Sequence, residues 1–133
     1  MGDIMSLARD ISDGKFTVLE STTSITDVDG DVRTVPPVGT KTTAYTLAVG
    51  DAGQYVQVGT SGSIVIPDAV FAEGDVVNIF NNTTGDITIT CTITTAYISG
   101  TDADDASVTL ATRGLCSIFF ISGTVCVIAG AVS

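Results

Sequence analysis

The chain has 133 residues, 44% hydrophobic and 15% charged, with a net charge of −10 and no histidine. A chain this apolar is not a disordered one, and its length suits one domain with a short appendage. The acidic balance repels phosphate backbones, which argues against direct contact with nucleic acid or an anionic membrane surface. The missing histidine removes Ser-His-Asp and Cys-His activation and every His-ligated metal site.

At the N-terminus, Ile4, Leu7, Ala8 and Ile11 fall at the i, i+3, i+4, i+7 spacing of one apolar stripe, so residues 3–12 predict a short helix that Asp13-Gly14 ends. Ser6, Arg9 and Asp10 interrupt the apolar residues, which does not read as a secretory leader. A helix this short is marginal alone and needs a surface to pack on. Residues 16–19 and 22–28 predict strands. Val28-Asp29-Gly30-Asp31-Val32 reads as a hairpin, because Asp-Gly tolerates the positive φ angles of a tight primed turn. Pro36-Pro37 is expected to break pairing, which places a boundary between an N-terminal arm, residues 1–38, and a β module, residues 39–133.

The module reads as many short strands. Residues 45–49, 54–58 and 63–66 are expected strands, with turns at 50–53 and 59–62. Val70-Phe71 is expected to tuck a loop into the core. Residues 76–80 form the next strand and 81–85 its turn. Ile87, Ile89, Cys91 and Ile93 then alternate with Thr88, Thr90, Thr92 and Thr94, a period of two that sends every large apolar group to one face. The hydroxyl face is expected to be an ordinary exposed β surface, or else an array facing ice or sugar. Residues 100–106 make an acidic loop, and strands follow at 107–111, 115–121 and 125–129. Residues 115–132 carry no charge and approach the length of a membrane span. The Ser122-Gly123-Thr124 turn signal inside them favours a hairpin. No internal repeat of solenoid period is visible. The fold class expected is all-β, a β-sandwich or jelly-roll-like module behind a short N-terminal arm.

Little chemistry is available. Cys91, Cys116 and Cys126 sit in apolar runs without a C-x-x-C pair and read as buried thiols. There is no phosphate-binding glycine loop. A carboxylate pair for glycoside hydrolysis would lack its usual aromatic groove, since the chain has no Trp and three Tyr. No enzymatic activity, cofactor or metal is expected. Two acidic clusters raise a calcium question. Asp27, Asp29 and Asp31 begin like an EF-hand loop but have Val32 at the sixth position and Val38 at the twelfth, while Asp102, Asp104 and Asp105 read as a solvated loop. Asn81 and Asn82 each match a glycosylation pattern that also reads as a turn.

The module carries Ala44-Tyr45-Thr46-Leu47, Gly62-Ser63-Ile64-Val65-Ile66-Pro67, Gly74-Asp75-Val76-Val77-Asn78-Ile79-Phe80-Asn81-Asn82, Ile87-Thr88-Ile89-Thr90, Leu110-Ala111-Thr112-Arg113-Gly114 and the run from Ile118 to Ile128. These words resemble a domain of structural proteins of tailed bacteriophages, marine and cyanobacterial ones in particular. The resemblance implies a virion-surface β module, often trimeric in such proteins, made in the host cytoplasm. It implies a capsid decoration (cement) protein that binds the major capsid protein or other virion proteins and steadies neighbouring subunits. The alternative is a tail-fibre or tail-tip component that binds the host surface. The segment ahead of the module is too short for a long shaft and long enough for a docking arm, which favours decoration. On that reading the capsid-contact residues are Ile4, Leu7, Ile11, Phe16 and Leu19. The low charge content of the whole chain also suggests contacts between copies, as a homo-oligomer.

Overall fold

The computed structural model describes the backbone at residues 26–27 and 30–31 and all of residues 34–133. The chain divides into two units, Met1–Arg33 and Thr34–Ser133. In the first, β1 (Thr26–Asp27) and β2 (Gly30–Asp31) pair antiparallel, with Thr26 opposite Asp31 and Asp27 opposite Gly30. The antiparallel pairing agrees with the expected hairpin, except that Gly30 lies in a strand, opposite Asp27. The helix expected at 3–12 and the strand expected at 16–19 lie outside the described residues, as do Ile4, Leu7, Ile11, Phe16 and Leu19.

The second unit is an all-β sandwich of a six-stranded and a four-stranded sheet. Its strands are β3 (Pro37–Lys41), β4 (Ala44–Thr46), β5 (Tyr55–Val58), β6 (Ser63–Ile66), β7 (Val76–Asn81), β8 (Ile87–Cys91), β9 (Thr95–Ile98), β10 (Ser107–Leu110), β11 (Leu115–Ser122) and β12 (Val125–Gly130). The six-stranded sheet runs β3-β5-β7-β11-β12-β9 and the four-stranded sheet β10-β8-β6-β4. From β3 to β11 the chain changes sheet at every strand. As a result β3, β5 and β7 lie parallel in one sheet, and β4, β6 and β8 lie parallel in the other. β10 and β11 then return antiparallel, and the β11–β12 hairpin closes the large sheet. The charge-free stretch at 115–132 is that hairpin, with Ile118 opposite Ile128 and Phe120 opposite Cys126. Among the described residues no helix is long and apolar enough to cross a membrane.

The core follows the alternation of the strands. Val56, Val58, Val77, Ile79, Ile118, Phe120, Cys126 and Ile128 from one sheet meet Ile64, Ile66, Ile89, Val108 and Leu110 from the other, all essentially without solvent exposure. β-branched residues dominate, as expected for a pleated surface packed on both sheets. Phe71 does tuck under the sheets, 5% exposed, while Val70 stays outside.

Local chemistry sets the strand ends. β4 stops at Thr46, short of the expected 45–49, because the Asp51 carboxylate curls the chain back. Asp51 Oδ2 accepts the Tyr45 hydroxyl at 2.8 Å and the Ala48 N–H at 2.8 Å, and Val49–Asp51 forms a 3₁₀ turn. β8 ends at Cys91 because Thr92 and Ile93 both donate their N–H groups to the Ile66 carbonyl, although Ile93 still reaches the core. Pro37 does not break pairing. It opens the edge strand β3 opposite Tyr55, where a missing N–H is tolerated, and the Pro36 carbonyl accepts the Tyr55 N–H at 3.1 Å. β9 was not expected from the sequence; its partner is β12, thirty positions away. Gly62 is fixed by space: a Cβ there would run into the Lys41 carbonyl oxygen and the Val58 side chain.

Candidate interaction surface

Every carboxylate of residues 34–133 lies in a connection between strands, and none on a strand. No strand therefore contributes an acidic side chain to the outer face of either sheet, in a strongly acidic chain. The two faces differ in the side chains they carry.

The outer face of the six-stranded sheet is apolar. β11 alternates between buried Cys116, Ile118 and Phe120 and outward Leu115, Ser117, Phe119 and Ile121. Strand register then aligns outward residues in ranks. Val76, Phe119, Val127 and Tyr97 stand side by side across β7, β11, β12 and β9. Tyr55, Asn78, Ser117 and Ala129 form the next rank, and Gln57, Phe80 and Leu115 the third. Leu115 is 63% exposed, Phe119 47% and Ile121 45%. The polar pair in the middle rank satisfies itself, Ser117 Oγ donating to Asn78 Oδ1 at 2.7 Å. A shallow groove of about 390 Å³ runs along this rank, with Val35, Tyr55, Leu115 and Ala129 in its walls.

The outer face of the four-stranded sheet carries hydroxyls instead. Thr88 stands beside Thr109, and Thr90 between Val65 and Ser107. This is the threonine face that the alternation at 87–94 predicts, and Thr88, Thr90, Thr92 and Thr94 are all exposed. Thr92 and Thr94 are turned to structural use: Thr92 Oγ1 donates to the Ile66 carbonyl at 2.8 Å and Thr94 Oγ1 to Asp68 Oδ1 at 2.8 Å.

The remaining candidates resolve one by one. Cys116 and Cys126 are buried and Cys91 is half-buried, and all three are free thiols. Burial pushes Cys116 and Cys126 up to about 12; Cys91, pushed up to about 11 by burial and then by the charges of Asp105 and Asp104, is likewise a poor nucleophile at neutral pH. Asp104 Oδ1 accepts the Ala96 N–H at 3.0 Å, and among the described residues no three acidic or thiol groups converge on a point that would hold a metal ion. The side chains of Asp27, Asp29 and Asp31 lie outside the described residues. Asn81 has no exposed surface, and its side chain organises two turns, which leaves no room for a glycan.

The apolar ranks are the surface that sequence reading missed. The signal was present in residues 115–121, where apolar residues occupy both strand faces. Such a strand is covered on both sides or presents one apolar side outward. Comparison with family models, with curated proteins and with solved structures finds no match to this chain.

Proposed function

We propose that the chain is a structural protein of the exterior of a tailed-phage particle, a decoration protein that works by adhesion rather than by chemistry. The observation that carries this reading is the apolar, carboxylate-free outer face of the six-stranded sheet. With strands about 4.8 Å apart and about 3.3 Å per residue, that face covers roughly 400 Å² in plan. Exposed apolar patches of several hundred Å² mark interaction sites.

Charge argues for a second copy of this chain as the occupant. Two acidic copies that met through their connections would bring carboxylates together. Meeting through this face, they bring Val, Phe, Tyr and Leu together and no like charges. The trimer of similar virion proteins is the symmetry proposed. Residues 1–38, with Ile4, Leu7, Ile11, Phe16 and Leu19, are then left to dock on the major capsid protein. The virion part of the proposal rests on the resemblance of residues 41–133.

Two measurements test it. Sedimentation equilibrium on the wild-type chain is expected to give an oligomer, and Phe119→Asp with Ile121→Asp a folded monomer; a monomeric wild type at high micromolar concentration sinks the face as an interface. Quantitative mass spectrometry of purified particles is expected to find the chain in numbers comparable to the major capsid protein. A handful of copies per particle favours the tail-fibre or tail-tip role instead, and absence from the particle overturns both.

A further inference from the structure

Three connections meet at one end of the sandwich: β5–β6, β7–β8 and β10–β11. Between them lies an open cleft of about 520 Å³, within the range of small-molecule sites, whose walls include Thr60, Ser61, Asn82, Thr84, Thr88 and Arg113. No aromatic side chain contributes to it. Hydroxyls and amides dominate, with one guanidinium and one carboxylate, that of Asp86.

The walls are fixed in advance. Asn81, buried beneath the cleft, donates through Nδ2 to the carbonyls of Gly85 at 2.8 Å and Ala111 at 3.0 Å, tying the second connection to the third. Thr112 reinforces the tie, its N–H donating to Asp86 Oδ1 at 2.9 Å and its hydroxyl to the Thr83 carbonyl at 2.7 Å. The Asp86 carboxylate is therefore engaged with backbone. Among the described residues, Arg113 is not engaged with any carboxylate. Its guanidinium donates to Asn82 Oδ1, which leaves four of its five N–H groups without a protein partner among the described residues. It is the one arginine of residues 34–133, a stretch with eight acidic residues. Ser61 and Arg113, on opposite walls, both hold left-handed backbone at φ 67° and 54°, a conformation that favours glycine. Both positions keep a polar side chain there nonetheless.

We propose that this cleft binds an acidic saccharide. Hydroxyls on the walls both donate and accept, which suits a polyol, and the open guanidinium suits one carboxylate on the sugar. A neutral sugar would leave Arg113 without an anion, and a free phosphate would meet one cation and a net negative protein. With no ring to stack on, each site is weak, with a Kd on the order of millimolar, and several copies on one particle would raise the avidity. Ser63 and Thr88 belong both to the cleft and to the hydroxyl face of the four-stranded sheet, so the cleft stays open when copies associate through the opposite, apolar face. Binding by a single chain does not depend on the assembly reading; only the gain in avidity rests on it.

The test is a titration of the ¹⁵N-labelled full chain, followed by amide shifts at constant ionic strength, with 3′-sialyllactose, trigalacturonate, lactose and inorganic sulfate. At least one acidic sugar is expected to shift residues 60–63, 82–88 and 112–114 in a saturable way, about tenfold more tightly than lactose or sulfate. Arg113→Gln is expected to remove that preference with an unchanged melting temperature. Thr88→Val, which keeps strand shape, is expected to weaken binding of acidic and neutral sugars alike. The proposal falls if neither acidic sugar gives saturable shifts there, if sulfate binds as tightly as the sugars, or if Arg113→Gln binds like the wild type.

Discussion

Phe71, in the connection between β6 and β7, stacks on Phe120 of β11 with ring centroids 4.2 Å apart and planes 20° from parallel. The pair pins a connection that has little regular structure of its own. Two backbone bonds flank it, Ala69 N–H to the Gly123 carbonyl at 2.8 Å and Gly74 N–H to the Phe120 carbonyl at 2.9 Å. Phe71→Ala is expected to destabilise the module by about 3 kcal/mol, from lost burial and the cavity left behind. Phe71→Leu should lose less than half of that. Urea denaturation measures both; a loss under about 1 kcal/mol for the alanine variant would mean that the connection merely drapes over the core.

Asn81 is the polar centre of the fold's cleft end. Its amide nitrogen serves three carbonyls, and its oxygen accepts the N–H and the hydroxyl of Thr83 at 3.1 and 2.7 Å. Asn81→Ala is expected to cost about 2 kcal/mol or more, because buried carbonyls lose their donor. Asn81→Asp should be worse at neutral pH, since an ionised carboxylate donates nothing and faces carbonyl oxygens. Burial raises the folded-state pKa of such a carboxyl, so part of the lost stability returns as pH falls toward the ordinary carboxylate range. Thermal melts at pH 4 and pH 7 check the sign: a deficit that does not shrink at the lower pH refutes the argument.

Alkaline pH should unfold the module early. Burial, then the bond to the Asp51 carboxylate, pushes Tyr45 up to about 12, and the three thiols are raised to between about 11 and 12. Each group is held neutral in the folded state, while its unfolded counterpart ionises at lower pH. The unfolded chain then binds fewer protons, so stability falls as pH rises. The effect is absent at neutral pH, begins near the ordinary thiol pKa and steepens through that of tyrosine. Melting temperature should hold below about pH 8 and drop above about pH 9. Replacing Cys116 and Cys126 by Ala should flatten the drop even though it lowers stability overall.

Two small-residue exchanges should act in opposite directions. Ala69 holds left-handed backbone at φ 57° on an exposed connection, so Ala69→Gly relieves strain and is expected to stabilise by up to about 1 kcal/mol. Gly62→Ala meets the Lys41 carbonyl and Val58 and is expected to cost several times that much. Parallel melts of the two variants check the contrast.

The inward face of the fold was legible in the sequence because alternation is local. The strand from Ile87 announces itself by period two, Ser63–Ile66 by the turn residues ahead of it and the proline after it, and the β11–β12 hairpin by the Ser-Gly-Thr turn. The partners of each strand were not legible. Nothing near Thr95–Ile98 points to β12, and nothing in β3 or β4 says that its neighbour is the strand after next. The connections differ in length and wording, which hides the winding that a repeated motif would have shown. The cleft was invisible for the same reason, since Ser61, Asn82 and Arg113 meet only once three separate connections are brought to one end. Conversely, a lack of alternation in residues 115–121 foretold the apolar outer face, although the hairpin reading absorbed the signal.

Because the chain passes from one sheet to the other at each strand from β3 to β11, the two sheets are laced together by covalent backbone. Even after the core contacts are lost, backbone still joins one sheet to the other through each of these connections. Nor can either sheet be shed by local fraying, as a sandwich built of self-contained hairpins could shed one. The two sheets are therefore expected to unfold together rather than one before the other, with β12 hydrogen-bonded on both sides by β11 and β9.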